Sequence, residues 1–148
     1  MQKILFLCTG NYYRSRFSEH LFNHFAAQHE LNWRADSRAL ALERGINNVG
    51  AISRYALLEL KLRGISITPE ERYPQQVQEE DFQTANLAIA LDEEEHRPLM
   101  IERFPEWVNQ IDYWLVHDAH ITLPPLALKQ IEKNILQLVD RLQDSAPR

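Results

Sequence analysis

The sequence predicts an α/β fold in which a parallel sheet is covered by helices on both faces, and three observations carry this. The run Ile4–Cys8 (ILFLC) is short, continuous and apolar, and it ends in a loop, as a strand buried on both sides does. Directly afterwards Phe17, Leu21, Phe22 and Phe25 recur at helical spacing. Strand-like and helix-like stretches then keep alternating to the end of the chain, the pattern of parallel strands joined by crossover helices.

Each element follows from its own residues. Ile4–Cys8 is the first strand and roughly Ser15–His29 the helix after it. Trp33–Ser37 reads as a second strand. Ile52–Arg63 is helical, with Gly64 as its stop. EERYPQQ, residues 70–76, reads as a surface loop. Glu79–Ala85 is a short helix leading into the third strand, Asn86–Leu91. DEEEHRPLMIERF crowds its acids where a helix N-terminus favours negative charge, so Asp92–His96 reads as a solvated helix start. Ile111–Val116 is the fourth strand. Pro124 and Pro125 open the last helix, whose apolar stripe is Leu128, Ile131, Ile135, Leu138, Val139 and Leu142.

The 148 residues fit one domain, 1–148, with a sizeable core. A net charge of −5 argues against a nucleic-acid partner. The lone cysteine excludes an intrachain disulfide framework and points to a reducing compartment. Because the N-terminal apolar run is too short for a signal segment and no stretch is long enough to span a bilayer, a cytoplasmic protein without a membrane partner is expected.

In parallel sheets ligands bind beyond the C-terminal strand ends, which is where Cys8 falls. The stretch Cys8-Thr9-Gly10-Asn11-Tyr12-Tyr13-Arg14-Ser15 joins a strand end to a helix start, so its amides can converge on an anion, backed by the helix dipole. Gly10 permits close backbone approach and a positive φ, and Asn11 tolerates a left-handed conformation. Arg14 can hold two phosphate oxygens in its planar fork. The same positive field favours the Cys8 thiolate, to which Ser15 can donate a hydrogen bond. The loop therefore offers a nucleophile inside a cradle for a tetrahedral dianion. Cys-x5-Arg alone is a weak signal, since a lone cysteine is most often a small buried hydrophobe; the strand, the Gly-Asn pair, the serine and the helix strengthen it.

The string C-T-G-N-Y-Y-R-S resembles the phosphate loop of the low-molecular-weight protein tyrosine phosphatases, usually C-(L/T)-G-N-(I/S)-C-R-S-P. EEDFQTANLAIALDEEEH is similar to that family's mid-chain segment, and DSRAL at Asp36–Leu40 sits where the family carries Ser-Ala-Gly-Thr. The resemblance implies a flavodoxin-like three-layer fold with a four-stranded parallel sheet in the order 2-1-3-4. It also implies a phosphocysteine intermediate on Cys8, with Arg14 as the oxyanion ligand and Thr9, Gly10, Asn11, Tyr12, Tyr13 and Ser15 around the phosphate. Ser37 takes a supporting place. Asp118, in Trp114-Leu115-Val116-His117-Asp118-Ala119, takes the role of the acid that protonates the leaving oxygen; Asp112 is the alternative. No cofactor or metal is implied. The expected partner is a phosphorylated protein or a small phosphomonoester, and the chain is expected to be a monomer or weak dimer.

Departures from the family pattern shape further expectations. Tyr13 replaces a second loop cysteine, so an oxidised Cys8 has no neighbouring thiol. Arg16 stands at a helix-opening proline and is expected to add positive charge near the cradle. Ala119 replaces a proline and is expected to loosen the loop that carries Asp118. His120-Ile121 replaces an aromatic pair, leaving Tyr12 as a substitute aromatic wall. A histidine is usual near Arg72. His20 with His24, and His117 with His120, have spacings that can bind a metal, although solvated flanks and a pocket rim are the ordinary readings. Two readings stand beside a phosphatase: an arsenate reductase coupled to a small thiol, and a catalytically weak phosphate- or phosphopeptide-binding relative.

Overall fold

The computed structural model describes residues 1–145. Strands β1 (Gln2–Cys8), β2 (Trp33–Ala39), β3 (Leu87–Ala90) and β4 (Asp112–Tyr113) form one parallel sheet in the order β2-β1-β3-β4. Helices α1 (Arg14–Gln28), α2 (Arg54–Leu62), α3 (Glu79–Thr84), α4 (Glu93–Arg103) and α5 (Pro124–Asp144) complete the expected flavodoxin-like arrangement.

The two-residue period of β1 divides the core. Ile4 and Phe6 point into a layer with α1, α2 and α5, and Leu5 and Leu7 into a layer with α3 and α4. All four are wholly buried, so the central strand has no solvent face and its continuous apolar run is explained. In α5 the expected stripe is confirmed, from Leu128 through Val139, with Leu142 partly buried against it. Gly64 adopts φ 78° and ends α2 through hydrogen bonds from Gly64 N to Lys61 O and from Ile65 N to Leu60 O.

Three segments differ from expectation. β2 runs two residues further, to Ala39, because it pairs with β1 as far as Cys8. β4 is only Asp112–Tyr113; beyond it Trp114 N still bonds Ala90 O and Val116 N bonds Leu91 O, but the regular ladder is lost as the chain reaches the site. Residues 70–76 are no free loop. Ala39 N donates to Gln75 O at 2.7 Å and Val77 N donates to Ala39 O at 2.8 Å, which ties the segment to the end of β2. No described helix is long and apolar enough to cross a membrane.

Candidate active site

β1 delivers Cys8 to the point where the strand order reverses between β2 and β3, the crevice in which such sheets bind ligands. The loop enters α1 at Arg14. No side chain caps this helix and no acid lies in its first turn, so its free amides and positive dipole end are left to the loop. The left-handed residue is Asn11, with φ 52°; Gly10, for which a positive φ was also expected, lies outside that region. A Cβ on Gly10 would meet Asn48 Nδ2 at 3.5 Å, an ordinary contact, so neither torsion nor crowding demands glycine there.

The conformation of Asn11 is held by its own amide. Nδ2 donates to Ser15 Oγ and to Ser37 Oγ, both at 2.8 Å. Oδ1 accepts from Arg72 Nη1 at 3.0 Å and from Gln75 N at 3.2 Å, which fixes which end of the amide is which. Ser15 Oγ is therefore an acceptor toward Asn11 and also accepts from the Cys8 thiol, 3.0 Å away; once the thiol gives up its proton, the serine hydroxyl is in place to donate to the sulfur. Ser37 likewise accepts from Asn11 and donates to Glu19 Oε1 at 2.5 Å. Arg72 closes the chain through Glu19 Oε1 at 3.3 Å, Asp36 Oδ1 at 3.1 Å and Ser37 O at 2.7 Å. Burial pushes the Glu19 carboxyl upward, against the pull of Arg16, Ser37 and Arg72. An arginine of the tied 70–76 segment thus stands where the family usually has a histidine and orients, through Asn11, the Ser15 hydroxyl that neighbours the thiol.

Arg14 is 2% exposed. Its Nη1 donates to Val116 O at 2.9 Å and its Nη2 to Glu95 Oε2 at 2.6 Å, with Asp92 Oδ2 at 3.6 Å and Asp118 Oδ2 at 3.9 Å. The acid-rich start of α4 is therefore solvated only in part: Glu93 and Glu94 are exposed, whereas Glu95 is turned onto Arg14. Asp92 and His96 are wholly buried; Asp92 caps the helix by accepting from Glu94 N and also meets His117 Nδ1 at 2.9 Å. The one signal in the sequence that joined these residues is the i, i+4 spacing of Asp92 and His96, which sets both on one helix face. Glu19, Glu95 and Arg72 carried no such signal.

Asp118 reaches over the site from the segment after β4. Its Oδ1 accepts from Ala119 N at 2.8 Å, and its carbonyl accepts from Ile121 N and Thr122 N at 2.9 and 3.0 Å. The turn is thus closed by hydrogen bonds despite Ala119 replacing a proline. Asp112 is exposed at the sheet edge, paired with Ile89. Cys8, Arg14 and Asp118 share one cavity of about 100 Å³ with Tyr12, Tyr13 and Asn48. Drug-sized ligands occupy roughly 300–1,000 Å³, so this space takes a phosphoryl group and leaves the rest of a substrate outside. Tyr12 donates to Val49 O at 2.7 Å, which holds its ring as a wall. Tyr13 is buried edge-on to Tyr55.

Arg16 corrects an expectation. It is wholly buried and pairs with Glu71 and, at 3.8 Å, with Glu19, so its charge is directed away from the cradle and into the protein. The paired histidines are also parted. His20 Nε2 faces Glu71 Oε2 at 3.1 Å, whereas His24 meets Gln28. His117 turns to Asp92, and His120 is 70% exposed with Asp118 Oδ2 at 3.7 Å. Glu19, His20 and Glu71 bring ligand atoms within 4.8 Å of one another, but Arg16 already supplies positive charge to both carboxylates, which disfavours a cation.

Comparison with known proteins finds the same fold. YfkJ from Bacillus subtilis superposes with a TM-score of 0.82 at 24% identity, covering 99% of this chain and 98% of that one. A low molecular weight phosphotyrosine phosphatase from Vibrio cholerae O395, VcLMWPTP-2, gives 0.79 at 22% identity, over 99% and 100%. A YwlE arginine phosphatase mutant with a phosphorylated active-site serine gives 0.79 at 19% identity, over 97% of each chain. No curated protein matches by sequence. The sequence model described as low molecular weight phosphotyrosine protein phosphatase matches residues 3–146, and with a match of that extent the chain belongs to the low molecular weight phosphotyrosine protein phosphatase family.

Proposed function

We propose that the chain hydrolyses phosphotyrosine or a related phosphomonoester through a phosphocysteine intermediate. The observation that carries this is Cys8 Sγ held 3.0 Å from Ser15 Oγ in a phosphoryl-sized cavity that Arg14 and Asp118 also line. The Cys8 thiolate attacks phosphorus and forms the S–P bond while the P–O bond to the leaving group breaks; that oxygen takes its proton from Asp118. A water then attacks phosphorus, Asp118 takes its proton, and thiolate and inorganic phosphate are released. Loop amides and the free N–H groups of Arg14 hold the equatorial oxygens as charge builds on them. The phosphorylated serine in the YwlE arginine phosphatase mutant supports a covalent step at the loop nucleophile. Two aromatic residues line the cavity, Tyr12 and the buried Tyr13, and Ile121 stands 61% exposed where the family carries part of its aromatic pair, so an aryl leaving group outside the cavity rests mainly on the more exposed Tyr12. A free thiolate requires reducing surroundings, consistent with a cytoplasmic enzyme acting on phosphorylated proteins or small phosphomonoesters.

Steady-state hydrolysis of p-nitrophenyl phosphate, compared between the wild-type protein and Cys8→Ser, tests the proposal. Cys8→Ser is expected to abolish turnover while phosphate or vanadate still binds, because a serine hydroxyl is a far weaker nucleophile than a thiolate and, once phosphorylated, a poor leaving group from phosphorus, whereas the cradle is untouched. Turnover retained in that variant refutes the covalent mechanism. Arsenate reduction with a small thiol, without phosphatase turnover, moves the chain to the reductase reading; phosphate binding with neither activity makes it a binding relative.

A further inference from the structure

A phosphate-binding arginine needs a support, and Asp92 together with Val116 O already supplies one, yet Glu95 adds a second carboxylate to the same guanidinium. Glu95 Oε2 accepts from Arg14 Nη2 at 2.6 Å and from the Thr9 hydroxyl, and His96 Nε2 lies 2.8 Å from the same oxygen and 3.2 Å from Thr9 Oγ1. The direction of the His96 bond is fixed, since its Nδ1 accepts from Asp92 N at 3.0 Å and its proton therefore sits on Nε2. Donors from α1, α4 and the phosphate loop thus converge on one oxygen. Burial opposes ionisation of Glu95, but His96, Arg14 and Thr9 together hold its carboxyl well below the usual carboxylate range, so it remains an anion while the enzyme works. The other groups facing Arg14 are Cys8, Asp92 and Asp118, with His117 beyond Asp92 and Tyr13 alongside.

We propose that Glu95 is a positioning residue acting through Arg14: it turns the guanidinium so that its unused N–H groups serve the cradle, and its charge weakens the field that Arg14 exerts on a bound oxyanion and on the thiolate. Inorganic phosphate is consequently held less tightly than an unopposed arginine would hold it, which favours product release. The inference rests on the cradle reading of the preceding section and adds to it how strongly the cradle grips its anion.

Two variants separate charge from position. Glu95→Gln keeps the shape and an acceptor oxygen but removes the charge. Inhibition by inorganic phosphate is expected to tighten on the order of tenfold, the size of one unit charge a few ångströms from the anion in a site still open to water. The pH profile of iodoacetamide alkylation of Cys8 is expected to move toward lower pH. Glu95→Asp keeps the charge but is one methylene shorter. Phosphate inhibition and the alkylation profile should stay near wild type while kcat falls on the order of tenfold or more, because Arg14 loses its hold. Weaker or unchanged phosphate inhibition in Glu95→Gln, or an alkylation profile that stays in place, overturns the charge role. A wild-type kcat in Glu95→Asp overturns the positioning role, and this arm stands even where Glu95→Gln does not fold. Alkylation needs no turnover, so a wild-type protein inert toward p-nitrophenyl phosphate refutes the proposed function while the Glu95→Gln profile still decides the effect on the thiolate.

Discussion

Replacing Arg16 with alanine removes a wholly buried guanidinium and leaves two carboxylates behind, Glu19 and Glu71, whose side chains are only 12% and 15% exposed. Breaking a buried pair by removing one partner typically costs about 3–5 kcal/mol. Here the loss is offset in part, since Arg72 remains 3.3 Å from Glu19 and His20 remains 3.1 Å from Glu71. A cost of about 2–4 kcal/mol is a large share of the roughly 5–15 kcal/mol by which domains are stable. For a chain of this size it corresponds to a fall in Tm on the order of 10 °C. Differential scanning calorimetry at neutral pH reads this directly, and p-nitrophenyl phosphate kinetics well below the transition read the cradle. The expected result is a large fall in Tm with KM changed by no more than about twofold, the size of a surface-level perturbation. An unchanged Tm with a several-fold rise in KM would refute the reasoning and return Arg16 to the substrate, where its place in the sequence first suggested it.

Asp118→Asn should slow hydrolysis of phosphotyrosine and alkyl phosphates by roughly 10²–10⁴, the usual worth of a general acid, and p-nitrophenyl phosphate by much less. Equal losses for good and poor leaving groups would remove Asp118 from the mechanism and make His117 the next candidate. The hydrogen bond to Asp92 raises His117 above its ordinary 6.5. Because the folded-state value is the higher one, the stabilisation is complete below about 6.5 and is lost as pH rises through the folded value. The difference in Tm between wild type and His117→Gln should therefore be largest on the acid side and vanish on the alkaline side; a difference that grows with pH contradicts the assignment.

What was legible in the sequence was local. β1, its loop and α1 follow from an apolar run, a Gly-Asn pair and helical spacing within the first 29 residues, and Cys8, Arg14 and Ser15 come together because they are neighbours in the chain. The order of the strands is not contained in any such window; it came from the family resemblance. The same limit hid half of the site. Asp92 and Glu95 reach Arg14 because β3 pairs beside β1, at a separation of 81 residues for Glu95. In sequence, an acid run at a helix start has a sufficient local explanation in the dipole, so nothing marks one of its members as buried. Arg72 was concealed in the same way: a stretch rich in Arg, Pro and Gln reads as surface until the pairing of Ala39 with residues 75–77 draws it against Asn11.

The departures from the family's usual residues follow one physical theme. Where proline would fix the backbone at position 16, Arg16 binds α1 to the 70–72 segment through Glu71. Where proline would stiffen the acid loop, the N–H that Ala119 retains donates to the Asp118 carboxylate. Where a histidine is usual, Arg72 bonds Asn11, Asp36 and Ser37. At positions 16 and 119 a charged or hydrogen-bonded contact stands where a proline ring would act by sterics, and at position 72 one hydrogen-bonding side chain replaces another. Such contacts are directional and cooperative, since each oxygen that accepts from one group orients the proton it gives to the next. The Arg72–Asn11–Ser15–Cys8 chain shows the consequence: the amide of Asn11 can point its donors at Ser15 only while Arg72 and Gln75 occupy its oxygen. The nucleophile's environment is therefore set by a residue 64 positions away in the sequence, and the cradle is only as well ordered as the segment that carries Arg72.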